Sequence, residues 1–124
     1  MTTPRTIRLL VVDLDNTLYD WVGFFVPSFY RMVEVACEIM GTKTEQLLSD
    51  LQSVHQKYRN SEQPFALLET SAVATAYPDK SRAERAVILD PAFHAFNRSR
   101  KELLKLFPGV KETLDQIKLT GCAI

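Results

Sequence analysis

Cysteine is scarce in this sequence, which contains two, Cys37 and Cys122, far apart along the chain. Neither has a partner at the close spacing of a metal knuckle or a redox-active pair, so the sequence gives no sign of zinc or thiol chemistry. Both cysteines stand among apolar residues. We therefore expect them to be small buried apolar side chains.

An excess of charge of either sign is also absent, because 15 Lys and Arg balance 15 Asp and Glu. Without a dense basic run, nothing favours a nucleic acid or a membrane surface as a partner. Only four uncharged apolar residues, Leu9 to Val12, precede the first acidic residue, too few for a signal-peptide core or a membrane span. We expect a cytoplasmic protein, and nothing in the sequence specifies its oligomeric state. Its 124 residues, 46% hydrophobic and 24% charged, are typical of a folded domain.

One short apolar run ends abruptly in acidic residues near the start of the chain. Ile7 to Val12 is rich in β-branched residues and leucine, which is typical of a strand buried on both faces of a parallel sheet. Asp13 then stands at the carboxyl end of this predicted strand, where open α/β sheets bind their ligands. The sequence therefore predicts an α/β fold with a site at Asp13.

Asp13 and Asp15 are two residues apart, so in an extended chain both carboxylates point to the same side. Two carboxylates in one small volume repel each other unless a divalent cation, a shared proton or separated pKa values intervene. A shared proton or separated pKa values are typical of a nucleophile beside a general acid/base. Among cations, the hard, oxygen-seeking Mg²⁺ fits best.

The stretch Asp13-Leu14-Asp15-Asn16-Thr17, after a hydrophobic strand, resembles the first motif of the haloacid dehalogenase-like hydrolases. The resemblance implies that Asp13 is a nucleophile that forms an aspartyl-phosphate, and that Asp15 protonates the leaving group and then activates water. Thr17 would support them by hydrogen bonding in the substrate site. The resemblance further implies Mg²⁺ held by the carboxylate of Asp13 and the backbone carbonyl of Asp15. Because the second acidic residue of the motif is Asp, the resemblance favours a phosphatase acting on a small phosphorylated metabolite.

The same residues also match, in part, two other kinds of loop. Asp, Asn and Thr after a strand are also common turn and helix-capping residues, so the stretch could be a polar loop. A calcium loop of the EF-hand type is excluded, since Leu18 occupies the required Gly position and Phe24 the closing Glu position.

Between Tyr19 and Phe107 the pattern predicts helices and no strand. Apolar residues at spacings of three and four mark five helices between these residues. They run over Val22–Met40, from Thr42 to Arg59, over Phe65–Ala76, after Ser81 and after Asp90. Capping boxes are predicted at Thr42–Glu45 and Ser81–Glu84. The residues expected to pack this layer are Phe29, Met32, Leu47, Leu51, Leu68, Phe93 and Leu104.

The predicted organisation has three parts: a first core strand and catalytic loop at 1–19, an inserted helical cap at 20–106, and a return to a Rossmann-like core at 107–124. Leu106 to Val110 resembles the segment by which these hydrolases re-enter their core after the cap. A helical bundle with a stray strand is the structural alternative.

Three further elements of the family's site, a phosphate-binding Ser or Thr, a Lys and a late acidic pair, have no counterpart in the sequence, where no two acidic residues are adjacent. We therefore expect the N-terminal portion of a longer hydrolase, inactive alone. The alternative is a non-catalytic helical binding or dimerisation module that retains the first motif as a relic.

Overall fold

The structure, a computed structural model, describes residues 6–63 and 65–124 and is built from α-helices. Their bounds are α1 Trp21–Met40, α2 Thr44–Tyr58, α3 Ser71–Ala76, α4 Arg82–Ile88, α5 Asp90–Leu103 and α6 Val110–Leu119, with a 3₁₀ helix at Ala66–Glu69 between α2 and α3. The helical character predicted between Tyr19 and Phe107 is confirmed for the described residues. None of these helices is long and apolar enough to cross a bilayer.

The predicted α/β fold, with the start of a Rossmann-like core at Ile7 to Val12, is wrong. The described residues form no strand and no sheet, and the structure is 64% helical. The extended segment meets residues near Ala123 in an isolated parallel bridge, with Leu10 N donating to Ala123 O at 2.8 Å and Ala123 N donating to Arg8 O at 2.9 Å. A sheet needs a continuous ladder of such bonds. Two of them leave this segment extended, without the further backbone pairing that would make it a strand.

Side chains of this extended segment are also not buried as predicted. Ile7 is 72% exposed and Val11 is 85% exposed. Burial on both faces requires helices packed above and below a sheet, and residues 6–63 and 65–124 form no sheet for them to cover. The fold is therefore an all-helical one. The division at 19 and 106 into core and cap stays a prediction, and residues 1–5 of the first predicted part lie outside the described residues.

Helix α1 begins where the acidic stretch ends, because Asp20 caps it. The Asp20 carboxylate accepts a hydrogen bond from Gly23 N at 2.9 Å, which satisfies one of the free N–H groups of the first turn. A side chain at Gly23 would collide with that carboxylate. The helix ends at Gly41, whose positive φ of 66° allows its N–H to reach Cys37 O.

The hydrophobic core lies between α1, α2, α3, α5 and the 3₁₀ helix. Four of the residues predicted to pack it are buried, and Phe29 and Phe93 are partly buried against them; the four are Met32, Leu47, Leu51 and Leu68. The prediction is wrong for Leu104, which is 41% exposed because α5 ends at Leu103 and the chain continues in an extended conformation. Cys122 is buried as expected, whereas Cys37 is only partly buried.

His55 makes the stability of this helical layer depend on pH. Burial lowers the pKa of His55 below its ordinary value of 6.5, since desolvation disfavours the imidazolium. As the pH falls through 6.5, the unfolded chain binds a proton at His55 before the folded chain does. We therefore expect the free energy of unfolding, measured by urea denaturation, to fall between about pH 7.5 and about pH 5.5.

The variant His55→Gln is expected to flatten this pH dependence. His94→Gln is the matched control, because His94 is exposed on α5 beside Asp90 at 3.0 Å, and it should keep the loss on acidification. Equal slopes in the wild type and the His55 variant would contradict a role for His55.

Candidate functional site

The acidic stretch forms an exposed loop, residues 13–20, between the extended segment and α1; we name it the Asp loop. The Leu14 carbonyl accepts hydrogen bonds from Thr17 N at 3.2 Å and from Leu18 N at 2.9 Å, so the chain makes a single turn there. Asn16 sits in that turn with a φ of 56°, a left-handed conformation that Asn tolerates better than most residues. The turn presents Asp13 and Asp15 to solvent.

Both the backbone and side chains anchor the Asp loop at its carboxyl side. Phe107 N donates to Leu18 O at 2.8 Å, and Tyr19 forms an isolated antiparallel bridge with Leu106. The Asn16 side chain accepts a hydrogen bond at 3.0 Å from the backbone N–H of Trp21, the first residue of α1. The segment after α5 thus fixes the loop, although Leu106 and Phe107 lie almost ninety residues beyond it in sequence.

The structure places each predicted carboxylate next to a hydroxyl group four residues later. Thr17 Oγ1 donates to Asp13 Oδ2 at 3.1 Å. Tyr19 OH donates to Asp15 Oδ1 at 2.7 Å. The two carboxylates therefore have separate hydrogen-bond donors, and each keeps one oxygen without a bond to its hydroxyl partner. Thr17 thus contacts Asp13 and not Asp15, and its predicted role in the substrate site stays a prediction.

The Tyr19 hydroxyl lies in the negative field of both carboxylates. Its hydrogen bond to Asp15 is the largest cause that raises the pKa of Tyr19 above its usual 10.0, followed by desolvation and by the charges of Asp15 and Asp13. Tyr19 therefore keeps its proton at neutral pH. It can act as a donor to Asp15 but not as an anion.

Two residues of this site had no predicted role, Tyr19 and Asn16. The spacing from Asp15 to Tyr19 equals that from Asp13 to Thr17, and this repeat was the available signal for Tyr19. For Asn16, the signal was the tendency of Asn to adopt left-handed conformations in turns. Both signals are also common in ordinary turns. The motif alone therefore did not predict the hydrogen bonds of Tyr19 and Asn16.

The Asp loop offers oxygen donors of the kind that Mg²⁺ prefers. Mg²⁺ is commonly bound through one or two carboxylates, with water or phosphate oxygens completing its shell. The Asp13 carboxylate and the Asp15 carbonyl fit this requirement in kind. No cluster of three or more His, Cys, Asp or Glu is present in residues 6–63 and 65–124.

The three predicted site residues, Asp13, Asp15 and Thr17, thus lie in one exposed turn, together with Tyr19. A comparison with protein-family models found no match to this chain, and a comparison with curated proteins found none either.

Proposed function

We propose that the chain takes part in Mg²⁺-dependent hydrolysis of phosphate esters, as a phosphatase of the haloacid dehalogenase-like superfamily. The observation that carries the proposal is the pair of exposed carboxylates two residues apart, each with a hydroxyl donor four residues later. The proposed substrate is a small phosphorylated metabolite, and the proposed location is the cytoplasm.

In this proposal Asp13 attacks phosphorus. Thr17 holds Asp13 Oδ2 at 3.1 Å, which orients the carboxylate and leaves the other oxygen, Oδ1, to form the new bond. The P–O bond of the ester breaks as this bond forms. The phosphoryl group then resides on Asp13 as an acyl phosphate, and the leaving group departs as an alcohol once it receives a proton.

Asp15 supplies and later recovers that proton. Its Oδ1 is held by Tyr19 OH at 2.7 Å, so Oδ2 is the oxygen available for proton transfer. In the first step a protonated Asp15 gives its proton to the leaving oxygen. In the second step its carboxylate takes a proton from the water that attacks the acyl phosphate, which regenerates Asp13.

Charge is the main obstacle to this reaction, because a phosphate dianion must approach two carboxylates. The Asp13 carboxylate and the Asp15 carbonyl are the groups that would hold Mg²⁺, which when bound would offset part of this negative charge. The residues of the loop orient the carboxylates and move the proton.

The proposal is tested with acetyl phosphate, whose acetate leaving group needs no protonation. Incubation of the purified chain with acetyl phosphate and Mg²⁺ is expected to add one phosphoryl group by intact-mass spectrometry, and hydroxylamine should remove it because it is an acyl phosphate. An unlabelled chain, or a label that resists hydroxylamine, would contradict the proposal.

Although acetyl phosphate is expected to label the chain, we expect no measurable steady-state hydrolysis of an aryl phosphate. The sequence contains no late acidic pair, so the charge on phosphate is poorly stabilised for either reagent, and p-nitrophenolate is a more basic and therefore poorer leaving group than acetate. We expect p-nitrophenyl phosphate hydrolysis by the 124-residue chain to stay at the buffer rate with Mg²⁺. Metal-dependent turnover that disappears in Asp13→Asn would show that this loop needs fewer supporting groups than we infer.

A second candidate function is a non-catalytic helical binding or dimerisation module. It is favoured by the exposure of large apolar side chains near both described ends, among them Ile7, Val11 and Leu119. Sedimentation equilibrium separates the two candidates when combined with the labelling experiment. A stable dimer that takes up no phosphoryl group would favour the module.

A further inference from the structure

A cavity of about 280 Å³ lies within the helical layer, between α1, α2, α5 and the start of the 3₁₀ helix. Five phenylalanines line it, Phe25, Phe29, Phe65, Phe93 and Phe96. Two pairs of these rings contact each other edge to face, with centroids 5.9 Å apart for Phe25 and Phe96 and 5.2 Å apart for Phe65 and Phe93. The walls are therefore aromatic surfaces held in place by their neighbours.

The floor of the cavity is apolar and belongs to the core. It is formed by the buried side chains Met32, Leu51, Ala66 and Leu67. A dry apolar cavity of about 150 Å³ accommodates benzene, so the larger volume here has room for a molecule of two fused rings. Apolar walls and floor favour such a guest through the surface that it removes from water.

Phe65 stands at this cavity in an unusual backbone conformation. Its φ of 56° is left-handed, which is rare for a bulky aromatic residue, and its side chain is 56% exposed. Its carbonyl accepts a hydrogen bond from Leu68 N at 2.9 Å, which starts the 3₁₀ helix. Strained conformations of this kind cluster at ligand-binding positions, and here the strain keeps an aromatic ring at the cavity while leaving it open to solvent.

The polar side chains at the cavity are neutral at pH 7. They are Ser61, Gln63, Asn97 and His55. The His55 ring lies 5.8 Å from that of Phe29, and burial lowers the pKa of His55, so its imidazole is uncharged. No Lys, Arg, Asp or Glu lines the cavity in the described part of the chain. A charged guest would thus lose hydration without gaining an opposite charge.

We propose that this cavity binds a small, uncharged molecule of one or two aromatic rings that carries a hydrogen-bonding group, with indole as the representative probe. The rings lie against the phenylalanine walls, and the polar group faces the neutral side chains. This proposal is independent of the phosphatase proposal, since it uses no residue of the Asp loop.

Methionine methyl resonances give a direct test, because Met32 lines the cavity and Met40, at the end of α1, does not. In a chain labelled with ¹³C at the methionine methyls, indole is expected to move the Met32 signal in a saturable way through its ring current. The Met40 signal should stay in place. Equal or absent shifts of both signals would overturn the proposal.

Two comparisons identify the chemistry of the site. On the unmodified chain, indole-3-acetate should bind at least tenfold more weakly than indole, because its carboxylate has no cationic partner there. Phe65→Ala should weaken indole binding at least tenfold, whereas Phe107→Ala, which removes an exposed phenylalanine outside the cavity, should leave it unchanged. Equal affinities for the two ligands would overturn the proposal even if the Phe65 variant did not fold.

Discussion

Asp13→Asn is expected to abolish the phosphoenzyme that forms from acetyl phosphate. An amide cannot form the acyl phosphate, and Asp15, the other exposed carboxylate with a hydroxyl partner, acts in this proposal as acid and base and not as the nucleophile. The fold should be unaffected, because Asp13 is exposed and Asn can still accept the hydrogen bond from Thr17. Intact-mass spectrometry measures the loss, and circular dichroism verifies the helical content.

Asp20→Asn is the matched control for this experiment. Asp20 belongs to the same loop, but its carboxylate caps α1 by accepting from Gly23 N, and Asn is an equally good capping residue. The control variant should therefore be labelled like the wild type. If both variants lost the label, the loss would reflect the charge of the loop and not the nucleophile.

Asp15→Asn is expected to separate the two halves of the proposed reaction. Labelling by acetyl phosphate should persist, because acetate leaves without a proton, but the acyl phosphate should be hydrolysed about 10² to 10⁴ times more slowly without a general base. The phosphoenzyme should therefore accumulate. Its decay after removal of acetyl phosphate, followed by intact mass, measures the rate.

Tyr19→Phe provides a graded comparison for the Asp15 variant. It removes the hydroxyl that holds Asp15 Oδ1 at 2.7 Å but leaves the carboxylate that takes the proton. We expect decay to slow by less than tenfold, since one orienting hydrogen bond is worth about 1 kcal/mol. Decay of the Asp15→Asn phosphoenzyme at the wild-type rate would contradict the assignment of Asp15 as the base.

Local sequence patterns predicted most of the helical layer. α1 ends at Gly41, as its glycine indicated, and the Ser81–Glu84 capping box is present, with Ser81 Oγ accepting from Glu84 N at 3.2 Å and Glu84 accepting from Ser81 N at 2.8 Å. The second predicted box is wrong, since Lys43 caps α2 without a side-chain hydrogen bond.

The segment predicted as a single helix from Phe65 to Ala76 is broken at Thr70. Thr70 is extended there, and its hydroxyl donates to Leu67 O at 2.8 Å while accepting from Val73 N at 3.4 Å. One hydroxyl thus ends the 3₁₀ helix and caps α3. The apolar spacing correctly predicted that Leu67, Leu68 and Val73 are buried. It carries no information on the Thr70 hydroxyl, which competes with the helix backbone for hydrogen bonds.

The predicted α/β core shows where local patterns fail. Ile7 to Val12 has the composition of a buried strand, but whether such a run is buried depends on partners far away in sequence. Here the partner backbone near Ala123 makes two hydrogen bonds, and the side chains of Ile7, Leu9 and Val11 remain exposed. By contrast, the hydrogen bond between Thr17 and Asp13 joins residues four apart, so it depends on the local conformation of the turn and not on a distant partner.

The most direct test of the central claim is to locate the phosphoryl group after reaction with acetyl phosphate and Mg²⁺. Borohydride reduction of the labelled chain, followed by fragmentation of the peptide that contains the Asp loop, distinguishes Asp13 from Asp15 and from the hydroxyls of Thr17 and Tyr19. The account predicts modification at Asp13 alone. A phosphoryl group on Asp15, on either hydroxyl or outside the loop would contradict it.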